Sequence, residues 1–180
     1  MRHRSSLRIT LHVCVLTVCG CVSPGCSGSS SEGGVAPAAG AARASSGPVD
    51  ACALVPTSEI ATIVGNPVER GQPFAGVEVC KWDAETGRTT ALLTVRRAGS
   101  DREKVLCAEL GKGADAGQRV TALGKVATWK FSNTMGLFNS GELESCGDKG
   151  YVSVSLNGKQ DEAKLKEASV AIAQMAFKGL

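Results

Sequence analysis

Cysteine and glutamate are the residue types in this 180-residue chain with the chemistry to form a site, because histidine is missing where it would be needed. Both histidines, His3 and His12, lie near the start of the chain, so the remainder lacks the commonest general base. The eight cysteines occupy positions 14, 19, 21, 26, 52, 80, 107 and 146. A zinc site wants close cysteine pairs or histidines, and the last four cysteines are widely spaced; no metal and no cofactor is expected. In an exported chain, four such cysteines read as two disulfides, for which three pairings exist. The favoured one joins Cys52 to Cys80, tying the start of the folded region to its first strong strand, and Cys107 to Cys146, tying a helix to a later strand. Glu142 and Glu144 are the best carboxylate pair, two positions apart in a strand and therefore on one face. Such a pair suits general acid and base work, although a solvated edge is the commoner outcome. There is no Gly-x-Ser-x-Gly elbow, and Gly111-Lys112-Gly113 is too short for a phosphate loop. No catalytic residue is assigned.

Recognition needs anchors, and aromatics are the usual ones. Trp82 lies two positions from Cys80 and is assigned to the core against a disulfide. The candidate partner-binding residues are Trp129, Tyr151, Asn133 and Met135. The last two belong to a less regular segment, residues 131–140, that reads as a binding rim. Arg96-Arg97 is a single basic dipeptide, expected to guard a strand end.

The first twenty residues have the layout of a secretory signal. Arg2, Arg4 and Arg8 form a basic start, residues 9–18 are largely apolar, and the run ends at Gly20. Spanning a membrane would need roughly 20 apolar residues, so a transmembrane helix is not expected. Val18, Gly20 and Cys21 fit a bacterial lipobox, with Cys19 standing where Ala, Ser or Thr is usual. Cys21 is the expected lipid-attachment residue, carrying diacylglycerol and an N-acyl chain such as palmitate. The competing readings are plain cleavage with Cys21 left as a thiol, and lipidation of Cys26, which is otherwise unassigned. Several acyl chains together give stable attachment at about 0.8 kcal/mol per buried methylene. In a Gram-negative cell Val22, not aspartate, after the cysteine points to the outer membrane facing the periplasm. In other cells the anchor holds the protein on the outer face of the plasma membrane. The three signal arginines also account for the whole net charge of +3: without them, 17 basic residues face 17 acidic ones. Nothing in that balance calls for nucleic acid, which wants a clustered basic face.

These residues need elements to hold them. Residues 21–49, rich in Ser, Gly, Ala and Pro, read as a disordered tether with a reach of roughly 30 Å. Residues 50–180 read as a single disulfide-bonded domain. A short helix is capped by Thr57 and stopped by Gly65-Asn66-Pro67. Strands follow at 77–82 and 89–97, with Cys80 and Trp82 on one face and Ala91, Leu93 and Val95 on one side. Ser100-Asp101-Arg102-Glu103 is a capping box that opens a second helix through Cys107. Strands at 125–131, 137–146 and 151–156 come next, the last turning at Gly147-Asp148-Lys149-Gly150. A final helix over 161–177 puts Leu165, Ala168, Ile172 and Met175 on one stripe and pairs Glu162 with Lys166. The order gives an α+β fold, with an antiparallel β-sheet of about five to six strands and two to three helices packed on it.

Cys52-Ala53-Leu54-Val55-Pro56-Thr57-Ser58-Glu59-Ile60, followed by Cys80-Lys81-Trp82, resembles a group of small bacterial lipoproteins of unknown function. These open with a Cys-Ala-Leu-Leu-like segment and a short helix, then carry a Cys-x-Trp strand. The resemblance covers about residues 50–178, includes Leu123-Gly124 and Val152-Ser153-Val154, and departs at Val55, where leucine is commoner. It implies a disulfide between the two motif cysteines and an envelope address, but no reaction. The expected function is that of a membrane-anchored envelope lipoprotein, monomeric and non-catalytic, binding a protein partner or a small ligand. An immunity or inhibitor protein is one form of it. The alternative is an envelope hydrolase working with carboxylate side chains.

Overall fold

The computed structural model describes residues 47–85, 89–112, 116–134 and 137–180. The expected signal, Cys21 as the expected lipid-attachment residue, Cys26, most of the expected tether and Met135 lie outside the described residues. Helices α1 (Ala51–Leu54) and α2 (Thr57–Val64) lead into β1 (Gln72–Pro73), β2 (Val79–Asp83) and β3 (Thr89–Arg97). Then come α3 (Asp101–Glu109), β4 (Gln118–Arg119), β5 (Val126–Thr134), β6 (Phe138–Gly147), β7 (Gly150–Gly158) and α4 (Glu162–Gly179).

The strands form one seven-stranded sheet in the order β1-β2-β3-β7-β6-β5-β4, antiparallel throughout. Register carries the alternation of the sequence across the whole sheet. Trp82 faces Ala91, Ala91 faces Leu156, and Leu93 faces Val154, which faces Leu143, which faces Trp129. All of these sit on the inner face, buried in one core cluster with Leu165, Ala168, Ile172, Ala173 and Ala176 of α4. Met175, expected on that stripe, is only partly buried and packs at its margin. Helix α4 lies on β6 and β7, and α1 and α2 pack against it.

Two disulfides fasten the fold: Cys52–Cys80 holds α1 to β2 and Cys107–Cys146 holds α3 to β6. Their loops, 28 and 39 residues in separation, correspond to about 3.6 and 3.9 kcal/mol in the chain-entropy model. The second bridge matters locally, because α3 has no buried residue of its own.

The expectation of five to six strands and two to three helices is corrected to seven and four among the described residues. The additional strands β1 and β4 are two residues each, too short to show any alternation, and they exist through backbone pairing with β2 and β5. The additional helix is the single turn α1, capped by Asp50, whose Oδ1 accepts from the Cys52 N–H at 3.0 Å.

Three side chains take partners other than those expected. Thr57 opens α2 rather than capping it, and its hydroxyl accepts from Gly71 N and Trp82 Nε1, both at 3.3 Å. Glu162 accepts from Trp129 Nε1 at 3.1 Å, while Lys166 donates to Gln118 Oε1 at 3.3 Å; tertiary partners replace their i,i+4 pair. Arg96 stands at the end of β3 as expected, but it is buried there. It is 7% exposed in an interior strand, donating to Val95 O at 2.8 Å and paired with Glu78 at 2.9 Å.

Candidate functional site

The outer face of the sheet carries the carboxylate pair. Glu142 and Glu144 share it, and because β6 lies between β5 and β7 they stand on an interior strand and not at a sheet edge, with Glu142 exposed to solvent as expected and Glu144 half-buried. Glu142 is opposite Lys130 and Ser155; Glu144 is opposite Thr128 and Ser153. Tyr151 pairs with Cys146, which makes it a diagonal neighbour of Glu144 on the same face, within reach of an aromatic side chain. Its hydroxyl donates to Glu144 Oε1 at 2.7 Å, and Lys130 Nζ stands 3.6 Å from Oε2.

The electrostatics follow from this crowding. Burial, followed by the hydrogen bond to Glu144 and the charge of Glu144, pushes the Tyr151 phenol well above its usual range. The Glu142 carboxyl is raised chiefly by partial loss of hydration and next by the negative charge of Glu144, with Lys130 opposing. Beside the pair, a cavity of about 150 Å³ lies between the end of α3 and the strands, lined by Leu106, Leu110, Thr128, Lys130 and Glu144 among others. Thr128 Oγ1 is buried without a hydrogen-bond partner.

The four candidate recognition residues part company. Trp129 is 1% exposed and lies over Gly141, where any Cβ would enter its indole ring. Tyr151 is 4% exposed. Neither ring is offered at the surface. Asn133 is exposed near the end of β5, where its Nδ2 donates to Asn139 Oδ1 at 2.5 Å. Asn139 Nδ2 in turn donates to Gln160 O at 2.6 Å, fastening the β5–β6 hairpin to the start of α4.

This hairpin end borders two depressions. One, of about 370 Å³, is lined by Asn133, Leu137, Phe138, Asn139 and Lys159. The other, of about 610 Å³, shares Phe138 and Lys159 and adds Asn66, Asn157, Gln160 and Lys164 among its walls. Leu137 is 65% exposed beside them. Sequence reading found the 131–140 side of this rim but missed Asn157, Lys159, Gln160 and Lys164. The available signal was the polar run Asn157-Gly158-Lys159-Gln160 between the last strand and the last helix.

Among the described residues, no group of three or more His, Cys, Asp or Glu side chains is placed to hold a metal ion. Among them too, no helix is long and apolar enough to cross a membrane. Compared with known proteins, the chain matches no family model, no curated protein and no solved structure.

Proposed function

We propose that the chain is a lipid-anchored envelope lipoprotein whose folded domain is a non-catalytic module binding a protein partner or a small ligand, with an immunity or inhibitor protein as the most specific form. The anchor rests on the basic start, the apolar run and the lipobox ending at Cys21. The observation that carries the non-catalytic reading is the state of Glu144. Its Oε1 holds the Tyr151 hydroxyl at 2.7 Å and its Oε2 faces Lys130 at 3.6 Å. A carboxylate with both oxygens engaged by side chains of its own sheet is a fastening, and a substrate would have to displace them. The rim built from Asn133, Leu137 and Lys159 supports the partner reading, because it sets an exposed aliphatic side chain among hydrogen-bonding groups.

The alternative, a hydrolase using carboxylates, draws on the raised Glu142 carboxyl beside Glu144, an environment that suits a proton donor. A single experiment addresses anchor and partner together. Cells expressing the wild type, Cys21→Ser and Leu137→Glu/Lys159→Glu are fractionated, and each protein is recovered with its cross-linked neighbours. Cys21→Ser should leave the membrane fraction, and the rim variant should stay there but lose the partner captured by the wild type. A Cys21→Ser protein that remains membrane-bound, or a rim variant with an unchanged partner set, contradicts the corresponding half.

A further inference from the structure

We propose that the hairpin tip between β1 and β2, residues 73–77, inserts into the lipid interface of the membrane that carries the anchor, as a second contact that orients the domain; this rests on the lipid-anchor reading of Cys21. The sequence here is Gly71-Gln72-Pro73-Phe74-Ala75-Gly76-Val77, without a single charge. Residues 72–77 are all exposed, with Phe74 at 50% and Val77 at 44%. Among the described residues the other large exposed apolar side chains, Val105 and Leu137, stand elsewhere, in α3 and in the turn before β6. Contiguous apolar surface at the tip of a loop marks a contact with another apolar phase, whereas scattered single residues do not.

The tip is shaped rather than loose. Phe74 N donates to Val79 O at 2.8 Å, and Val79 N donates to Gly76 O at 3.3 Å. Ala75 is held at φ 56°, a left-handed conformation that a side chain with a Cβ disfavours. Lys81 Nζ lies 5.8 Å from the Phe74 ring centroid and is paired with Asp83 Oδ2 at 2.6 Å, so the charge behind the tip is already balanced and the tip itself stays apolar.

The place where the folded region begins favours lipid over a protein partner. Ala51 N donates to Val77 O at 2.8 Å, so the tip is fastened to the first helix. The segment running back toward Cys21, 30 positions before Ala51, therefore begins beside the tip. A tether attached next to the inserting residues keeps them near the bilayer, and an insertion too weak to act from solution becomes an intramolecular event.

The test uses the full chain, processed and lipidated in cells, carrying Phe74→Trp. Trp82 and Trp129 are 0% and 1% exposed and stay out of reach of a lipid-borne quencher. The protein is reconstituted into phosphatidylethanolamine–phosphatidylglycerol vesicles with and without brominated acyl chains, and flotation of the same sample reports the anchor. The added emission should be roughly halved by the brominated lipid, as expected for a side chain at acyl depth, while the parent protein is unaffected. Val77→Trp, at the other apolar position, should behave alike. Flotation without quenching of either tryptophan overturns the insertion and leaves the anchor standing. Failure to float overturns both. Quenching lost in favour of a concentration-dependent dimer, abolished by Phe74→Ser/Val77→Ser, assigns the tip to a second copy and overturns the proposal.

Discussion

Replacing Gly141 by alanine asks whether the inner face of the sheet is built around Trp129. A Cβ at Gly141 would stand 2.7 Å from Cζ2 and 3.0 Å from Cζ3 of that indole, and nearer still to Cη2. Comfortable carbon contacts lie at about 3.5–4.0 Å. The ring has little room to retreat, being 1% exposed and held through Nε1 by Glu162 Oε1 at 3.1 Å. In a strand with space for a methyl group, glycine to alanine would stabilise by about 0.5–1 kcal/mol, so the sign of the effect is diagnostic. Overpacking costs about 1–3 kcal/mol, and pulling the indole off a carboxylate adds about 1.5–3 kcal/mol. After the glycine gain is subtracted, the expected loss is about 0.5–2 kcal/mol if the Glu162 bond holds and about 2–5 kcal/mol if it breaks. Urea unfolding followed by far-ultraviolet circular dichroism measures it. In a Trp129→Phe background, which removes the clashing outer atoms of the indole, Gly141→Ala should be neutral or stabilising, so the coupling should equal or exceed the wild-type loss. A loss below about 0.5 kcal/mol in the wild-type background, or an equal loss in both, refutes the reasoning.

Replacing both Cys107 and Cys146 by serine should cost about 3.9 kcal/mol in the chain-entropy model. It should also strip amide-exchange protection from α3, which has no buried residue, while β6 and β7 keep theirs; hydrogen-exchange mass spectrometry reads both. Because the folded state raises the Tyr151 phenol, the stability it contributes is intact below the unfolded value of about 10 and drains away as pH climbs beyond it. Tyr151→Phe should abolish that alkaline loss in denaturant midpoints taken across the range. Glu142 is raised too, so the wild type gains stability as pH falls through the carboxylate range. Glu142→Gln should therefore melt higher than the wild type near neutrality, with the difference vanishing in acid.

Local signals in the sequence were legible wherever one residue's chemistry dictated one outcome. Ser100 caps α3 by accepting from Glu103 N at 3.1 Å, and the Glu103 carboxylate reaches back to Gly99 N at 3.1 Å. The alternation of Val152, Val154 and Leu156 carried over because both faces of β7 have definite environments. What stayed hidden depends on neighbours distant in sequence. Thr57 looks like any cap until Trp82 arrives 25 positions later to claim its hydroxyl. Arg96 reads as a strand-end guard because nothing local announces its ion pair with Glu78. The rim at Asn133 was half visible: its hairpin is irregular in sequence, but Lys159 and Gln160 join it only through the placement of β7 and α4.

The strand order has a temporal meaning. β7 lies between β3 and β6, yet it is the last strand to leave a ribosome or a translocon. Until residues 150–158 emerge, the earlier strands can pair only as β1-β2-β3 and β6-β5-β4, each with an open edge where β7 belongs. Such edges invite pairing with other chains. The two disulfides suit this interval, because Cys52–Cys80 closes within the first portion and Cys107–Cys146 within the second. Oxidation can secure each portion separately while the keystone strand is still in transit. A chain stopped before Gly150 would therefore be one polypeptide with two portions whose sheet edges have lost their common partner, rather than a shortened domain, and its fate would be decided by whatever protects those edges.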